Sequence, residues 1–465
     1  MVFPIAGGNE SKGTQQNSLR FNDDDSAYLS RTPSSAGNRK TSTFSGWFKR
    51  GSVTDSGILF EARIDNDNRF DFRFNGTKVL VYGEISNTEV VYLETSQVFR
   101  DPAAWYHLVF VVDTTQGTQS NRVKLYVNGS QVTSFSTSTN SLSSNQDTPI
   151  NTTNAHSVGA NTSGGGPYDG YMADVHFIDG TAKAPTDFGE TNSDGVWIPK
   201  DYDGSYGTNG YRLEFQQTGT SQNASGIGAD TSGEGNHFAV TNLAATDVTT
   251  DSPTNNFCTL NPLYKQGSPT FSEGNCKVVL PAGDGTQGAA GGIAPANGKW
   301  YWEVKHVSST QSSILVREAS DREDYLSYYE GNYAGYEKLD GNQRVTGNTE
   351  STYGAAYAND DIIMVALDMD NDRVYFGKNG LWADGAGNSN QSSLDDYVTL
   401  TGIVDGVAAV ANGNGSATAT FEFNFGNASY AISSGNADGN GYGNFEYSVP
   451  SGYYVLCTKN LAEFG

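Results

Sequence analysis

The sequence has few basic residues for its length. Its 465 residues include 28 Lys and Arg against 52 Asp and Glu, which gives a formal net charge of −24 and a pI near 4.4. Binding to nucleic acid requires clustered Lys and Arg that displace counterions from phosphates, and an acidic surface repels both nucleic acid and anionic lipid. The charge balance therefore excludes nucleic acid as a partner and favours a well-solvated exterior.

Cysteine and long apolar runs are also scarce. The three cysteines, Cys258, Cys276 and Cys457, form no Cys-x-x-Cys pair, and their odd number argues against a disulfide scaffold. The longest clean apolar stretch, Ile362–Leu367, is far shorter than the ~20 residues that cross a bilayer, and the first residues lack a basic start followed by an apolar core. We therefore expect no membrane insertion, no secretion signal and assembly in a cytoplasm.

Helical periodicity is missing as well, because Gly or Pro interrupts every candidate window. The chain has instead 55 Gly and 12% aromatic residues, a mixture with ample apolar area to bury. Arg69–Phe74 alternates charged residues with Phe at period two, as a half-buried strand does. Asn-Gly pairs at 75–76, 128–129 and 379–380 suit tight hairpin turns. These features predict an all-β fold with antiparallel sheets.

The strand-like runs fall into two blocks, which predict two β domains in tandem. Residues 14–215 form the first domain of this interpretation and residues 251–459 the second, with an N-terminal arm at 1–13 and a C-terminal tail at 460–465. Residues 216–250 are rich in Gly, Ser, Thr, Asn and Asp and are expected to be a linker. Within it, Phe238, Val240 and Leu243 could add a short strand to either neighbour.

Five motifs in the first block follow one another in the order found in a known fold family. They are Ser18–Phe21 with Tyr28-Leu29, Phe44–Phe48, Trp105–Val109, Val123–Gly129 and Gly170–Asp174. Together they resemble the laminin G-like domain, a concanavalin A-like jelly roll.

The second block resembles a different module of the same architecture. Lys299–Glu303, Ile363–Asp370 and Val374–Trp382 are similar to strands of the SPRY domain. The two resemblances together imply an all-β chain of two concanavalin A-like β-sandwich (jelly-roll) domains in tandem.

With Asp251–Phe257 and Tyr454–Leu461 added, the pairing resembles virion structural proteins of tailed bacteriophages, of tail-fibre or capsid-surface type. The resemblance implies a place in the virion, assembly in the host cytoplasm, other virion proteins as partners and a homo-oligomer, trimeric if it is a fibre. It also implies a non-enzymatic role in host attachment, with host-surface carbohydrate as the ligand. A capsid-decoration or assembly protein without a glycan ligand is the alternative.

Motifs for catalysis are absent from the sequence, so we expect no enzyme. No Glu is followed two positions later by Asp, as the Glu-x-Asp-x-x-Glu motif of some jelly-roll glycosidases requires. There is also no Gly-x-Ser-x-Gly and no His-Glu-x-x-His. A polysaccharide depolymerase is therefore the third interpretation.

Calcium is the cofactor that the laminin G-like resemblance suggests. Asp23, Asp24 and Asp25 are its candidate ligands, because related sandwiches hold Ca²⁺ through carboxylates and carbonyl oxygens at the rim. The alternative is a solvated acidic turn between two strands.

Tyrosine-rich loops are the candidate carbohydrate-binding surfaces. Aromatic faces stack on sugar rings, with amides and carboxylates forming hydrogen bonds around them. The alternative is that these rings pack a core or a subunit contact. The candidates are Tyr168 and Tyr171 in the first block and Tyr325, Tyr328, Tyr329, Tyr333 and Tyr336 in the second.

Overall fold

The computed structural model describes residues 15–283, 287–321, 330–413 and 415–465. These residues form two compact units, one ending at Thr254 and one running from Asn255 to Gly465. Within the described ranges, α1 (Thr458–Phe464) is the one α-helix and almost all other regular structure is strand. The predicted all-β fold class is confirmed, and the arm expected at 1–13 lies outside the described residues.

None of the helical segments in the described ranges has the length and apolar character that a membrane crossing needs.

The N-terminal unit consists of two antiparallel sheets and a short hairpin. Its strands are β1 (Ser18–Phe21), β2 (Tyr28–Arg31), β3 (Thr41–Arg50), β4 (Gly57–Asp65), β5 (Asn68–Asn75), β6 (Lys78–Ile85), β7 (Thr88–Thr95), β8 (Trp105–Asp113), β9 (Val123–Val127), β10 (Ser130–Gln131), β11 (Phe135–Asn140), β12 (His156–Val158), β13 (Gly170–Asp179), β14 (Gly189–Thr191), β15 (Trp197–Pro199), β16 (Tyr211–Leu213), β17 (Ala239–Thr241) and β18 (Val248–Thr249). Sheet A has the order β10-β9-β8-β3-β13-β1-β18, with β16 also paired to β13. Sheet B has the order β11-β7-β6-β5-β4-β12-β2-β17.

Phenylalanine side chains join the two sheets into a sandwich. Phe70, Phe72 and Phe74 alternate along β5 and are all buried, as the period-two pattern predicted. Phe72 of sheet B stacks on Phe110 of sheet A, with ring centroids 4.4 Å apart and planes 4° from parallel. Each fully buried ring of this kind contributes roughly 1.5–3 kcal/mol of hydrophobic stabilisation, so the sheets are held face to face by this aromatic layer.

The segment expected to be a linker belongs to the N-terminal unit. Its residues Ala239–Thr241 pair with β2, and Val248–Thr249 pair with β1. Phe238 is fully buried, and its ring contacts that of Tyr211 at 4.7 Å. The predicted boundaries at 215 and 251 are therefore replaced by one boundary after Thr254, because burial of this apolar side chain attaches a polar segment to the sandwich.

The C-terminal unit is a second two-sheet sandwich. Its strands are β19 (Leu260–Gln266), β20 (Thr270–Ser272), β21 (Lys277–Leu280), β22 (Gln287–Gly291), β23 (Lys299–Ser308), β24 (Ser312–Glu318), β25 (Tyr333–Glu337), β26 (Gln343–Val345), β27 (Thr349–Ser351), β28 (Ile362–Asp368), β29 (Arg373–Lys378), β30 (Leu381–Ala383), β31 (Ser389–Gln391), β32 (Val398–Thr399), β33 (Gly406–Asn412), β34 (Ala419–Asn424) and β35 (Tyr454–Val455). Sheet C has the order β19-β22-β33-β24-β25-β26-β27. Sheet D has the order β20-β21-β34-β23-β28-β29-β30-β31, with β32 paired to β29 and β35 to β23.

The last residues are part of this unit. Phe464 of α1 stacks on Tyr454, with ring centroids 3.7 Å apart. The buried Asn460 side chain donates to Asp438 Oδ2 at 2.7 Å and to the Val455 carbonyl oxygen at 3.0 Å. The predicted tail at 460–465 is therefore corrected to a docked helix.

Replacing Phe238 with Ala tests the revised boundary. We expect the Phe238→Ala variant to lose about 3–5 kcal/mol of stability, because a large cavity replaces a buried ring. Hydrogen exchange followed by mass spectrometry should show faster exchange in peptides before Thr254 and unchanged exchange after Asn255. Phe445→Ala, which removes a buried ring of the C-terminal unit, is the matched control with the opposite pattern. Unchanged exchange throughout the N-terminal unit in Phe238→Ala would show that 216–250 is a linker after all.

Candidate functional site

The outer face of sheet A is covered by the chain itself. At one end, a first covering segment (residues 244–251) holds Asp251, whose Oδ2 lies 2.7 Å from Lys49 Nζ of β3. Asp247 of the same segment lies 3.4 Å from Arg20 of β1. Lys49 and Arg20 are each about 1% exposed, so this end of the face is closed to a ligand.

The other end of the face lies under a second covering segment (residues 181–206). Trp197 Nε1 donates to His107 Nδ1 at 3.0 Å, and Tyr206 OH lies 2.9 Å from His176 Nδ1. Since Nδ1 of His107 accepts, its Nε2 carries the proton and donates to Ser45 Oγ at 2.9 Å. Burial lowers the pKa of His107 to about 3. This buried Ser-His pair is therefore a structural contact and does not activate Ser45 as a nucleophile.

The outer face of sheet B is, in contrast, partly open to solvent at Tyr82 and Tyr92. Four residues on adjacent strands lie side by side in register across this face: Glu61, Asp71, Tyr82 and Tyr92. They alternate with the buried core residues of β4 to β7 and so point away from the core. The Tyr82–Tyr92 face, as we call this surface, is the candidate site.

Two half-exposed tyrosine rings form the centre of the Tyr82–Tyr92 face. The ring centroids are 6.2 Å apart and the planes cross at 86°, the edge-to-face arrangement that aromatic pairs favour. The guanidinium groups of Arg69 and Arg73 lie 4.9 Å and 5.4 Å from the Tyr82 ring centroid. Tyr82 OH also donates to Glu84 Oε2 at 3.1 Å. These contacts fix the Tyr82 ring while leaving part of it open to solvent.

The charges on this face are matched in pairs. Four cationic side chains each lie within 3.3 Å of a carboxylate oxygen: Arg63 with Glu61, Arg69 with Glu84, Arg73 with Asp71 and Lys78 with Glu94. In a chain of net charge −24 this surface is electrically balanced when Asp71 is ionised. It offers hydrogen-bonding groups without a surplus of either sign.

Asp71 is, like Glu61, a buried carboxylate of these ion pairs. Its side chain is 2% exposed, and burial raises its pKa to about 7 even though Arg73 opposes the shift. Arg73 Nε is 2.9 Å from Asp71 Oδ1, but the alignment is too poor for a hydrogen bond there. Asp71 therefore titrates near neutral pH.

The structure places four of the predicted carbohydrate-binding tyrosines in the interior. Tyr168 and Tyr171 are at most 2% exposed, and Tyr168 OH donates to the Lys49 carbonyl oxygen at 2.7 Å. Tyr333 and Tyr336 point to opposite faces of sheet C, yet both are fully buried. Their rings pack the protein, the alternative that the sequence had left open. Tyr325, Tyr328 and Tyr329 lie outside the described residues.

The predicted calcium ligands lie on a short 3₁₀ turn. Asp24 and Asp25 are exposed, and Asp25 accepts a hydrogen bond from Asn22 Nδ2 at 3.0 Å. Burial, followed by Asp24 and Asp55, raises the pKa of Asp23. Nowhere in the described ranges do three or more His, Cys, Asp or Glu side chains converge as a metal site requires. Asp23, Asp24 and Asp25 therefore match the solvated-turn alternative.

Tyr82 and Tyr92 were not among the residues predicted from the sequence. Their signal is a local period-two pattern, because Tyr82 lies between the buried Val81 and Gly83, and Tyr92 between the buried Val91 and Leu93. The carbohydrate-binding residues predicted from the sequence were chosen from tyrosine-rich loops instead. The outward positions of neighbouring alternating strands are the better guide to a surface on a sheet.

Comparison with known proteins links the N-terminal unit to one family model. Residues 22–187 match the model described as the concanavalin A-like lectin/glucanases superfamily, which covers less than half of the chain and includes the whole Tyr82–Tyr92 face. Among curated proteins, none matches this sequence.

Similar solved structures share low identity with the chain. Domains LG4-5 of the mouse laminin α1 chain align over 90% of this chain and 91% of their own, at 8% identity and a TM-score of 0.31. The SPRY domain of human HERC1 aligns over 35% of this chain and 96% of its own, at 17% identity and a TM-score of 0.28. A putative carbohydrate binding protein from Bacteroides ovatus aligns over 49% and 57%, at 14% identity and a TM-score of 0.32.

The raised pKa of Asp71 predicts a specific pH dependence of stability. Between the ordinary Asp pKa of 3.8 and about 7 the folded state holds a proton on Asp71 that the unfolded state has lost. Stability from this group is therefore present at low pH and is lost as pH rises through 7. Urea unfolding at pH 5 and pH 8 should show the wild type losing up to about 3 kcal/mol more than Asp71→Asn, because two pH units of this titration lie within the interval. Asp67→Asn, at an exposed position, is the control. Identical pH dependence in wild type and Asp71→Asn would contradict the assignment.

Removal of divalent metal tests the Asp23–Asp25 turn. Because these carboxylates do not converge on a common point with further ligands, we expect the melting temperature to be the same in EDTA and in millimolar Ca²⁺. Differential scanning calorimetry makes the measurement. A melting temperature that rises with Ca²⁺, and no longer does so in Asp23→Asn, would establish the calcium site.

Proposed function

We propose that this protein is a non-enzymatic carbohydrate-binding protein that holds its glycan on the Tyr82–Tyr92 face. The observation that carries the proposal is the pair of partly exposed rings of Tyr82 and Tyr92 on the outer face of sheet B, with the Tyr82 ring fixed by Arg69 and Arg73. The outer face of sheet A is closed by its covering segments. Within the N-terminal unit, closure of that face supports the outer face of sheet B as the ligand surface.

The chemistry of the Tyr82–Tyr92 face suits a sugar. Aromatic faces contact the C–H groups of a sugar ring, and fixed polar groups around them bind hydroxyls and set the orientation. Here the tyrosine rings are flanked by guanidinium and carboxylate groups whose positions are fixed by ion pairs. The match of residues 22–187 to a superfamily that includes lectins supports this function.

A polysaccharide depolymerase is the second candidate, and one observation favours it. Glu61 and Asp71 are opposed on neighbouring strands, and Asp71 has a pKa of about 7, as a general acid in a glycosidase does. However, both carboxylates are at most 2% exposed and lie in ion pairs with Arg63 and Arg73. Glu61 Oε2 also accepts from the Thr162 amide at 2.9 Å. Because a glycosidic oxygen has no access to these groups, binding is the better-supported function.

The biological setting that we propose follows from the resemblance to tailed-phage virion proteins. In this setting the protein is a tail fibre or surface appendage in the virion, assembled in the host cytoplasm as a homo-oligomer, and the glycan lies on the host surface. Oligomerisation would strengthen a weak sugar contact through avidity. The alternative is that the protein decorates the capsid. In that case, free protein added to host cells would not block infection.

Replacing the two rings tests the proposed function. We expect the double variant Tyr82→Ala/Tyr92→Ala to bind glycans about 10- to 100-fold more weakly than wild type, since each stacked aromatic contributes about 0.5–1.5 kcal/mol beyond its buried area. An array of bacterial envelope polysaccharides followed by calorimetry makes the measurement. Tyr126→Ala, on β9 of sheet A, is the matched control and should bind like wild type.

Two outcomes would overturn this proposal. Wild-type affinity in the double variant would move the site elsewhere. Release of reducing ends from a bound polysaccharide by wild type, with loss of release in Glu61→Gln, would establish the depolymerase instead.

A further inference from the structure

The outer row of β7 continues from the Tyr82–Tyr92 face to a groove at the edge of the sandwich. Tyr92, Glu94 and Ser96 alternate to the same side. Glu94 Oε2 accepts from Lys78 Nζ at 2.9 Å and from Ser136 Oγ at 2.6 Å. Ser134 Oγ donates to Ser96 Oγ at 3.0 Å. A chain of polar groups thus leads along β7 away from the tyrosine rings.

The groove lies where the chain passes from β10 in sheet A to β11 in sheet B. Its volume is about 420 Å³, within the range of small-molecule sites. Amides and hydroxyls dominate the lining, and no charged residue contributes to it. The lining residues are Gln97, Val127, Asn128, Ser130, Gln131, Val132, Thr133 and Ser134.

We propose that this groove is a second subsite of the same binding surface, and that the ligand is a neutral oligosaccharide running along β7 from the tyrosine rings into the groove. This inference rests on the proposed function. The distance supports a chain of several sugars, because the five residue-to-residue steps from Tyr92 to Gln97 span roughly 16 Å at ~3.3 Å per step. A single sugar ring cannot reach both ends.

The charges of the Tyr82–Tyr92 face and of the groove favour a neutral ligand. The four cations of the Tyr82–Tyr92 face are each paired with a carboxylate, and the groove has no cation of its own. An anionic polysaccharide would meet no surplus positive charge there and would be repelled by a chain of net charge −24. Hydroxyl groups of a neutral sugar suit the Gln, Asn, Ser and Thr side chains of the groove, which both donate and accept.

A length series tests the inference. Calorimetry with laminari-, cello- and malto-oligosaccharides of two to six units, and with alginate oligosaccharides as the anionic panel, measures affinity against length and charge. For the neutral series that binds, we expect at least a tenfold gain from two to six units. The groove variant Gln131→Ala/Thr133→Ala should abolish that gain, whereas Thr186→Ala, at an exposed position of the segment that covers sheet A, should retain it. Tyr82→Ala/Tyr92→Ala should weaken binding at every length.

Other results would contradict the second subsite, the neutral ligand or the proposed function, as follows. Equal affinity at all lengths, or a full length gain in the groove variant, overturns the second subsite and leaves the proposed function standing if the tyrosine variant still loses binding. Preference for alginate overturns the neutral ligand. Absence of binding to both panels counts against the proposed function and this inference together.

Discussion

The buried ion pair between Lys49 and Asp251 is the interaction on which the N-terminal unit depends. Both side chains are at most 2% exposed, and Trp105 Nε1 lies 3.3 Å from the second carboxylate oxygen. A charge taken out of water costs several kcal/mol unless it is paired, so loss of either partner would leave the other strongly destabilising. The pair therefore fixes residues 244–251 on sheet A. Closure of that face leaves the outer face of sheet B as the accessible one.

In the C-terminal unit a buried carboxylate similarly holds a distant segment, which includes Glu446 and Tyr447, against a sheet. Glu303 on the outer face of sheet D is fully buried and accepts from the backbone amides of Glu446 and Tyr447 at 3.0 Å and 2.8 Å. Tyr301 OH also donates to it at 3.0 Å. Burial raises the pKa of Glu303 to about 6. In both units a buried charged group binds a distant segment, and that segment covers one face of a sheet.

Much of the fold could be predicted from short-range patterns. Period-two alternation located the strands, and the Asn-Gly turns at 128–129 and 379–380 have positive φ at both residues, as type I′ hairpins require. The covering segments could not be predicted this way. Lys49 and Asp251 are 202 residues apart, and residues 216–250 have the composition of a linker. Tyr171 and Tyr333 were candidates because they lie in tyrosine-rich segments, and local composition does not reveal whether a distant part of the chain covers such a segment.

The candidate site could likewise be predicted only in part from the sequence. Alternation could have located Tyr82 and Tyr92 on an outward row, but only the structure shows that their sheet face is accessible and that of sheet A is not. The central claim is that the accessible face of sheet B is the ligand surface. A crystal structure of the protein with a bound oligosaccharide is the most direct test. The account predicts a sugar ring against Tyr82 and Tyr92; a sugar bound elsewhere, with this face empty, would contradict it.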